Sequence, residues 1–129
     1  VKVDAIVAGG CAASYLATAA WASQSGDIAP PFDALVGVKD VAIAGLCGAW
    51  AIAELRRRGT ERARGLGLAV AIVILVDAIL ALVGGAGPWR TQIAPDGSLV
   101  VSLLIGIGLI AAALGLVWFV RRPDPAAAP

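Results

Sequence analysis

The sequence predicts an all-α integral membrane protein, a four-helix bundle with its N- and C-termini on the cytoplasmic side. Three observations carry this reading. The apolar residues fall in four long blocks, charged residues are too few to cover a water-facing surface, and the basic residues collect on one side of the implied topology. Of 129 residues, 60% are apolar and 15% charged, whereas soluble domains carry about 25% charged residues. The length suits one domain. Residues 1–122 form a single transmembrane unit, and 123–129, PDPAAAP, read as a disordered tail.

The blocks are 3–22, 32–55, 66–85 and 99–120. A helix rising about 1.5 Å per residue needs roughly 20 residues to cross about 30 Å of hydrocarbon, which each block provides. No stretch shows the alternating pattern of a barrel strand. The connections at 23–31, 56–64 and 86–98 are short and polar, the first and third rich in Pro and Gly and the second a charge run. The first block resembles a retained span more than a cleaved leader. Its apolar stretch is long, Tyr15 and Thr18 lie within it, and Ala22-Ser23-Gln24 is a poor small-x-small site. The chain contains no methionine, so the native start residue is either absent or written as another residue, as a GTG start rendered Val1 would be.

Four spans place the N-terminus, the second connection and the C-terminus together. That side holds Lys2, Arg56, Arg57, Arg58, Arg62, Arg64, Arg121 and Arg122, eight of the ten basic residues, against Arg90 on the other. The excess assigns it to the cytoplasm. Composition rich in Ala, Gly, Val and Arg points to a high-GC bacterium, hence to the bacterial cytoplasmic (inner) membrane. Trp21, Phe32 and Trp89 fall at the outer boundary, and Trp50, Trp118 and Phe119 near the inner one, where amphipathic rings anchor a span. Membrane lipids are therefore partners, and the 56–64 arginines suit anionic headgroups.

Other classes lose support. Net charge is +1, and neither a basic groove with interleaved aromatics nor a Gly-rich phosphate loop is present, so no nucleic-acid partner is expected. With no His, no Met and only Cys11 and Cys47, the chain lacks the imidazole, thiolate and thioether ligands of most transition-metal and haem sites. We expect no cofactor and no metal.

Helices associate in lipid through close packing and hydrogen bonds rather than the hydrophobic effect. Small pairs able to support that packing are Gly45 with Ala49 and Ala44 with Gly48 on the second span, and Ser102 with Gly106 and Gly108 with Ala112 on the fourth. Gly9 and Gly10 give the first span similar room. The fourth span carries no charge between Leu99 and Val120, which makes it the candidate lipid-facing or homodimer-facing helix. Cys11 and Cys47 fall at similar depth in the cytoplasmic half, either as a redox pair or as two small side chains in a packed interior.

Three charges lie well inside the second and third spans: Lys39, Asp40 and Asp77. A charge at mid-span costs about 2.5–3.5 kcal/mol on insertion scales, so these side chains should face the bundle interior. Asp40 lies about 10 Å along its helix from Asp33, and Asp77 about 12 Å from Gly85. In antiparallel neighbours the two carboxylates share a level in the outer half of the membrane. At least one of Lys39 and Asp40 can then meet Asp77, and a third helix could gather all three. Burial disfavours a carboxylate, a nearby ammonium favours it, and two close carboxylates divide acid and base roles. Such a group suits acid–base catalysis or proton-linked transport, while a structural Lys39–Asp77 ion pair is the plainer alternative. Ser14, Tyr15 and Thr18 are candidate substrate-binding hydroxyls, or plain helix hydrogen bonds. Asp4 and Glu54 sit near the cytoplasmic face, within reach of water or arginine, and Asp27, Asp33 and Asp96 belong to the outer surface.

Pro30-Pro31-Phe32, then Gly37-Val38-Lys39-Asp40, a charged loop and a third span containing Asp77 resemble a domain-of-unknown-function family of small four-helix membrane proteins from bacteria and fungi. The resemblance covers about residues 30–85. Its pattern is Gly-x-Arg/Lys-Asp entering the second helix and an Asp within the third. Many members carry a His in the following segment, where this chain has none. Some fungal members are assigned to natural-product pathways as epoxide hydrolases or cyclases. The resemblance implies Asp40 and Asp77 as acid and base, with Lys39 as the charge-tuning partner. The expectation is a membrane-embedded hydrolase, cyclase or isomerase acting on a small lipophilic substrate. The alternatives are a small proton-linked transporter or ligand-binding protein, which with four helices would need a dimer, and an accessory subunit with a structural ion pair.

Overall fold

Apolar surroundings offer the backbone no water to bond, so long apolar blocks satisfy their amides as helices. The computed structural model describes residues 2–24, 26, 28–56, 61–88, 93 and 98–122. It contains α1 (Lys2–Gln24), α2 (Phe32–Arg56), α3 (Glu61–Ala86) and α4 (Leu99–Arg121). All four are long and apolar enough to cross a membrane. α3 starts at Glu61, ahead of the apolar block, so part of the 56–64 charge run is helix rather than loop. Glu61 in that first turn complements the helix dipole. Ser98 caps α4, its hydroxyl accepting from the Val101 amide at 3.4 Å. The 123–129 tail, Trp89, Arg90, Asp27 and Asp96 lie outside the described residues.

α1 packs on α2 and α3 on α4, and the two hairpins meet along α2 and α3. Each inner helix buries a stripe at three- and four-residue spacing. On α2 it is Asp40, Ile43, Ala44, Cys47, Trp50 and Glu54. On α3 it runs from Ala63 and Gly67 to Asp77 and Ala78. At one end of the bundle the Ala29 amide donates to the Ile93 carbonyl at 2.8 Å, which joins the first and third connections. At the other end Arg122 pairs with Asp4 at 2.9 Å and stacks 3.9 Å over the Phe119 ring, while Arg64 donates to the Arg122 carbonyl at 3.4 Å. Asp4 thus finds an arginine, as its position predicts.

The outward faces are apolar: Val38 on α2, Ile72 and Val76 on α3, and Val100, Leu104 and Trp118 on α4 are half or more exposed. Of the predicted small-residue contacts, Ala44 is buried in the core, Gly85 packs against Ser102, and Gly106 packs against Leu82. Gly45, Ala49, Gly108 and Ala112 face outward, as do Gly9 and Gly10.

Two expectations are corrected near the end of the bundle where α2 finishes. Trp50 is core rather than a boundary anchor, being 1% exposed with its indole against Gly67, where a Cβ would stand 2.8 Å from Cε2. Glu54 is buried rather than at the surface, one turn beyond Trp50, and accepts the indole Nε1–H at 3.2 Å. The i, i+4 spacing puts the two side chains on one face, and the glycine opposite leaves room for the ring.

Candidate functional site

Lys39 and Asp40 sit in the third turn of α2, on the side nearer the first and third connections, and Asp77 lies at the corresponding level of α3. Lys39 reaches across so that its Nζ donates to Asp77 Oδ1 at 2.5 Å, and it also lies 3.2 Å from Asp40 Oδ1. The third helix is α1, whose Tyr15 hydroxyl donates to Asp77 Oδ2 at 2.8 Å. Three helices thus converge on one carboxylate. The order of contacts is Tyr15, Asp77, Lys39, Asp40.

The two carboxylates have different surroundings. Both Asp77 oxygens are held by donors, one cationic and one phenolic. Asp40 has one oxygen on Lys39, while its Oδ2 is buried with no hydrogen-bond partner among the described residues. A buried polar atom without a partner costs about 1–3 kcal/mol and is uncommon. Asp40 is 1% exposed. The Lys39 side chain is 35% exposed, while those of Asp40 and Asp77 are 1% and 6% exposed.

The sequence-predicted residues separate accordingly. Lys39, Asp40, Asp77 and Tyr15 come together. Ser14 and Thr18 do not: both are exposed and donate to their own helix, Ser14 to the Gly10 carbonyl at 2.8 Å and Thr18 to the Ser14 carbonyl at 2.9 Å. The Lys39–Asp77 pair of the plainer alternative is present, with Tyr15 and Asp40 added to it.

Glu54 is the functional candidate that sequence reasoning placed wrongly. Its Oε2 is the other buried carboxylate oxygen with no partner among the described residues. Asp40 and Glu54 lie 14 residues apart on the same buried stripe, about 21 Å at helical rise, with Cys47 midway. The 14-residue spacing, four helical turns, was a readable signal. Among the described residues no three His, Cys, Asp or Glu side chains converge in the way a metal ion needs. A shallow groove of about 350 Å³ lies between Leu114, Val117, Trp118, Arg121 and Arg122, at the opposite end of the bundle from Asp40.

No family model, curated protein or solved structure matches the chain.

Proposed function

We propose that the chain is a multi-pass protein of the bacterial cytoplasmic membrane, with both termini cytoplasmic, and that Asp40, Lys39 and Asp77 form an acid–base centre acting on a small lipophilic molecule. Arginines 56, 62, 64, 121 and 122 at one end of four apolar helices support the orientation. The observation that carries the chemistry is the buried Asp40 Oδ2, without a hydrogen-bond partner among the described residues, beside an ammonium that a second carboxylate braces.

The roles follow from what each atom has left to do. Asp77, with both oxygens taken, braces Lys39 and orients Tyr15. Asp40 Oδ2 accepts the proton of an attacking hydroxyl or water. The Lys39 ammonium stabilises the developing alkoxide of an opening epoxide and protonates it. The 3.2 Å contact between Lys39 and Asp40 returns that proton and resets the site. Epoxide opening or isomerisation suits this arrangement because one group gives a proton as another takes one. The reaction class itself follows from the resemblance of residues 30–85 to the four-helix family.

The test is turnover of a panel of lipophilic epoxides by the reconstituted protein, with Asp40→Asn and Asp77→Asn made separately and their folds checked. Loss of a positioned acid or base lowers rate about 10²–10⁴-fold. Both folded variants should lose turnover, Asp40→Asn the more completely. No turnover by the wild type, or turnover unchanged in Asp40→Asn, overturns the reading.

A second reading, proton-linked transport, is favoured by Glu54. Two unpartnered carboxylate oxygens on one buried face, about 21 Å apart along the helix, are where proton-carrying groups for opposite membrane faces would sit. Proton flux into vesicles, followed with an entrapped pH dye, would then require both Asp40 and Glu54.

A further inference from the structure

The groove of about 350 Å³ at the end of α4 is lined by Leu114, Val117, Trp118, Arg121 and Arg122. The first four stand at i, i+3, i+4 and i+7, so they share one face of the helix. Along that face the lining passes from aliphatic to aromatic to cationic, ending where the helix ends. The two arginines are differently engaged. Arg122 is committed within the protein: its Nη2 lies 2.9 Å from Asp4 Oδ1, its Nη1 donates to the Phe119 carbonyl at 2.6 Å, and its guanidinium stacks on the Phe119 ring. It thereby covers a carbonyl at the end of α4 that would otherwise repel an anion. Arg121 is exposed and has no hydrogen-bond or ion-pair partner among the described residues. With Arg122 balanced by Asp4 and no acidic residue in the lining, the groove carries one uncompensated positive charge.

The apolar part of the groove does not stop at Leu114. Val100, Leu104, Ile107, Leu114 and Trp118 repeat at heptad-like spacing, and all five are more than half exposed. They form one outward stripe along α4 that leads into the groove. From Trp118 to Ile107 the stripe is about 16 Å long at helical rise, close to half of the roughly 30 Å hydrocarbon thickness of a bilayer. We propose that the groove binds one anionic glycerophospholipid. Its phosphodiester takes the free Arg121 guanidinium, whose planar fork matches phosphate oxygens. Trp118 lies at the level of the glycerol esters, where an indole has both an apolar body and a donor to offer. One acyl chain follows Val117 and Leu114 onto the stripe.

Charge complementarity selects the headgroup. A zwitterionic lipid brings an ammonium beside Arg121, and the lining has no carboxylate to receive it. An anionic lipid brings no such cation. The site differs from a general attraction of the basic end for anionic surfaces, because one residue of the groove carries the selection. The proposal rests on the membrane reading and is independent of the acid–base centre.

The experiment offers the full chain, in a nonionic detergent, equal amounts of phosphatidylglycerol and phosphatidylcholine with matched acyl chains. Native mass spectrometry reads the first lipid retained. The wild type should retain phosphatidylglycerol about fivefold over phosphatidylcholine, the effect of roughly one basic contact with an anionic headgroup. Arg121→Gln should bring the ratio near one. Arg56→Gln removes an exposed arginine of the same end that does not line the groove, and should keep the wild-type ratio. Equal retention of the two lipids by the wild type overturns the proposal. So does an equal fall of the ratio in Arg121→Gln and Arg56→Gln, since the attraction is then diffuse. A carbonate wash of phosphatidylcholine vesicles carrying the chain tests the membrane reading separately. Release of the protein overturns that reading and this proposal with it, whereas retention without lipid preference overturns this proposal alone.

Discussion

Lys39→Met is the substitution for which the structure gives the most definite energetic expectation. Methionine keeps an unbranched apolar stem like that of lysine but removes the charge that holds Asp77 at 2.5 Å and Asp40 at 3.2 Å. Removing one member of a buried ion pair costs about 3–5 kcal/mol, because the remaining charge stays buried without its partner. The lysine side chain is 35% exposed, which puts the expected loss near the lower figure, about 3 kcal/mol. In an Asp77→Asn background the shorter of the two contacts no longer joins opposite charges, so the same change should cost clearly less. A double-mutant cycle reads the difference directly, and contacting residues give coupling of about 0.5–3 kcal/mol. The assay is reversible unfolding in mixed micelles, titrated with SDS and followed by helical circular dichroism. If Lys39→Met costs the same in both backgrounds, within about 0.5 kcal/mol, Lys39 and Asp77 are not partners and the site as described is wrong.

The remaining expectations concern packing and orientation. Gly67→Ala drives a methyl into the Trp50 indole and should destabilise by about 1–3 kcal/mol. Gly45→Ala and Gly108→Ala meet nothing within 4 Å and should be neutral or stabilising. Equal unfolding midpoints for all three would contradict the packing of α2 on α3. Trp50→Phe removes the donor to Glu54 and should cost about 1–3 kcal/mol, with Trp50→Phe/Glu54→Leu recovering part of it in the same titration. Green fluorescent protein fused after residue 122 should fluoresce and alkaline phosphatase at that point should be inactive, with the reverse after residue 88. The opposite pattern inverts the orientation.

Much of this arrangement was readable because helices long and apolar enough to cross a membrane order their residues by helical rise. Lys39, Asp40 and Asp77 could be matched in level from helical rise and an antiparallel connection alone. Rotation about each helix axis was much less accessible. A water-soluble helix shows its inner face through amphipathicity. These helices are apolar nearly all round, so nothing distinguished Ala44, which is buried, from Gly45, which is exposed. For the same reason Ser14, Tyr15 and Thr18 looked equivalent, although only Tyr15 points at Asp77. The position of Trp50 near a span end suits an anchor. Its burial depends on Gly67 of another helix, a pairing no local pattern in either segment reveals. Glu54 follows from Trp50, since an acid so near a span end is ordinarily solvated unless a neighbour covers it.

The account rests on Asp40 having an oxygen available for chemistry while both oxygens of Asp77 are engaged. A lipophilic carbodiimide reads this difference directly, since it enters the membrane and couples to carboxyl groups with an available oxygen. The folded, reconstituted protein would be treated, digested and mapped by mass spectrometry. An adduct is expected on Asp40 itself, located by fragment ions apart from any on Glu54, whose Oε2 also has no partner among the described residues; it should be absent in Asp40→Asn and retained in Asp77→Asn. An adduct on Asp77 alone, or an Asp40 that stays unmodified until the protein is denatured, would contradict it.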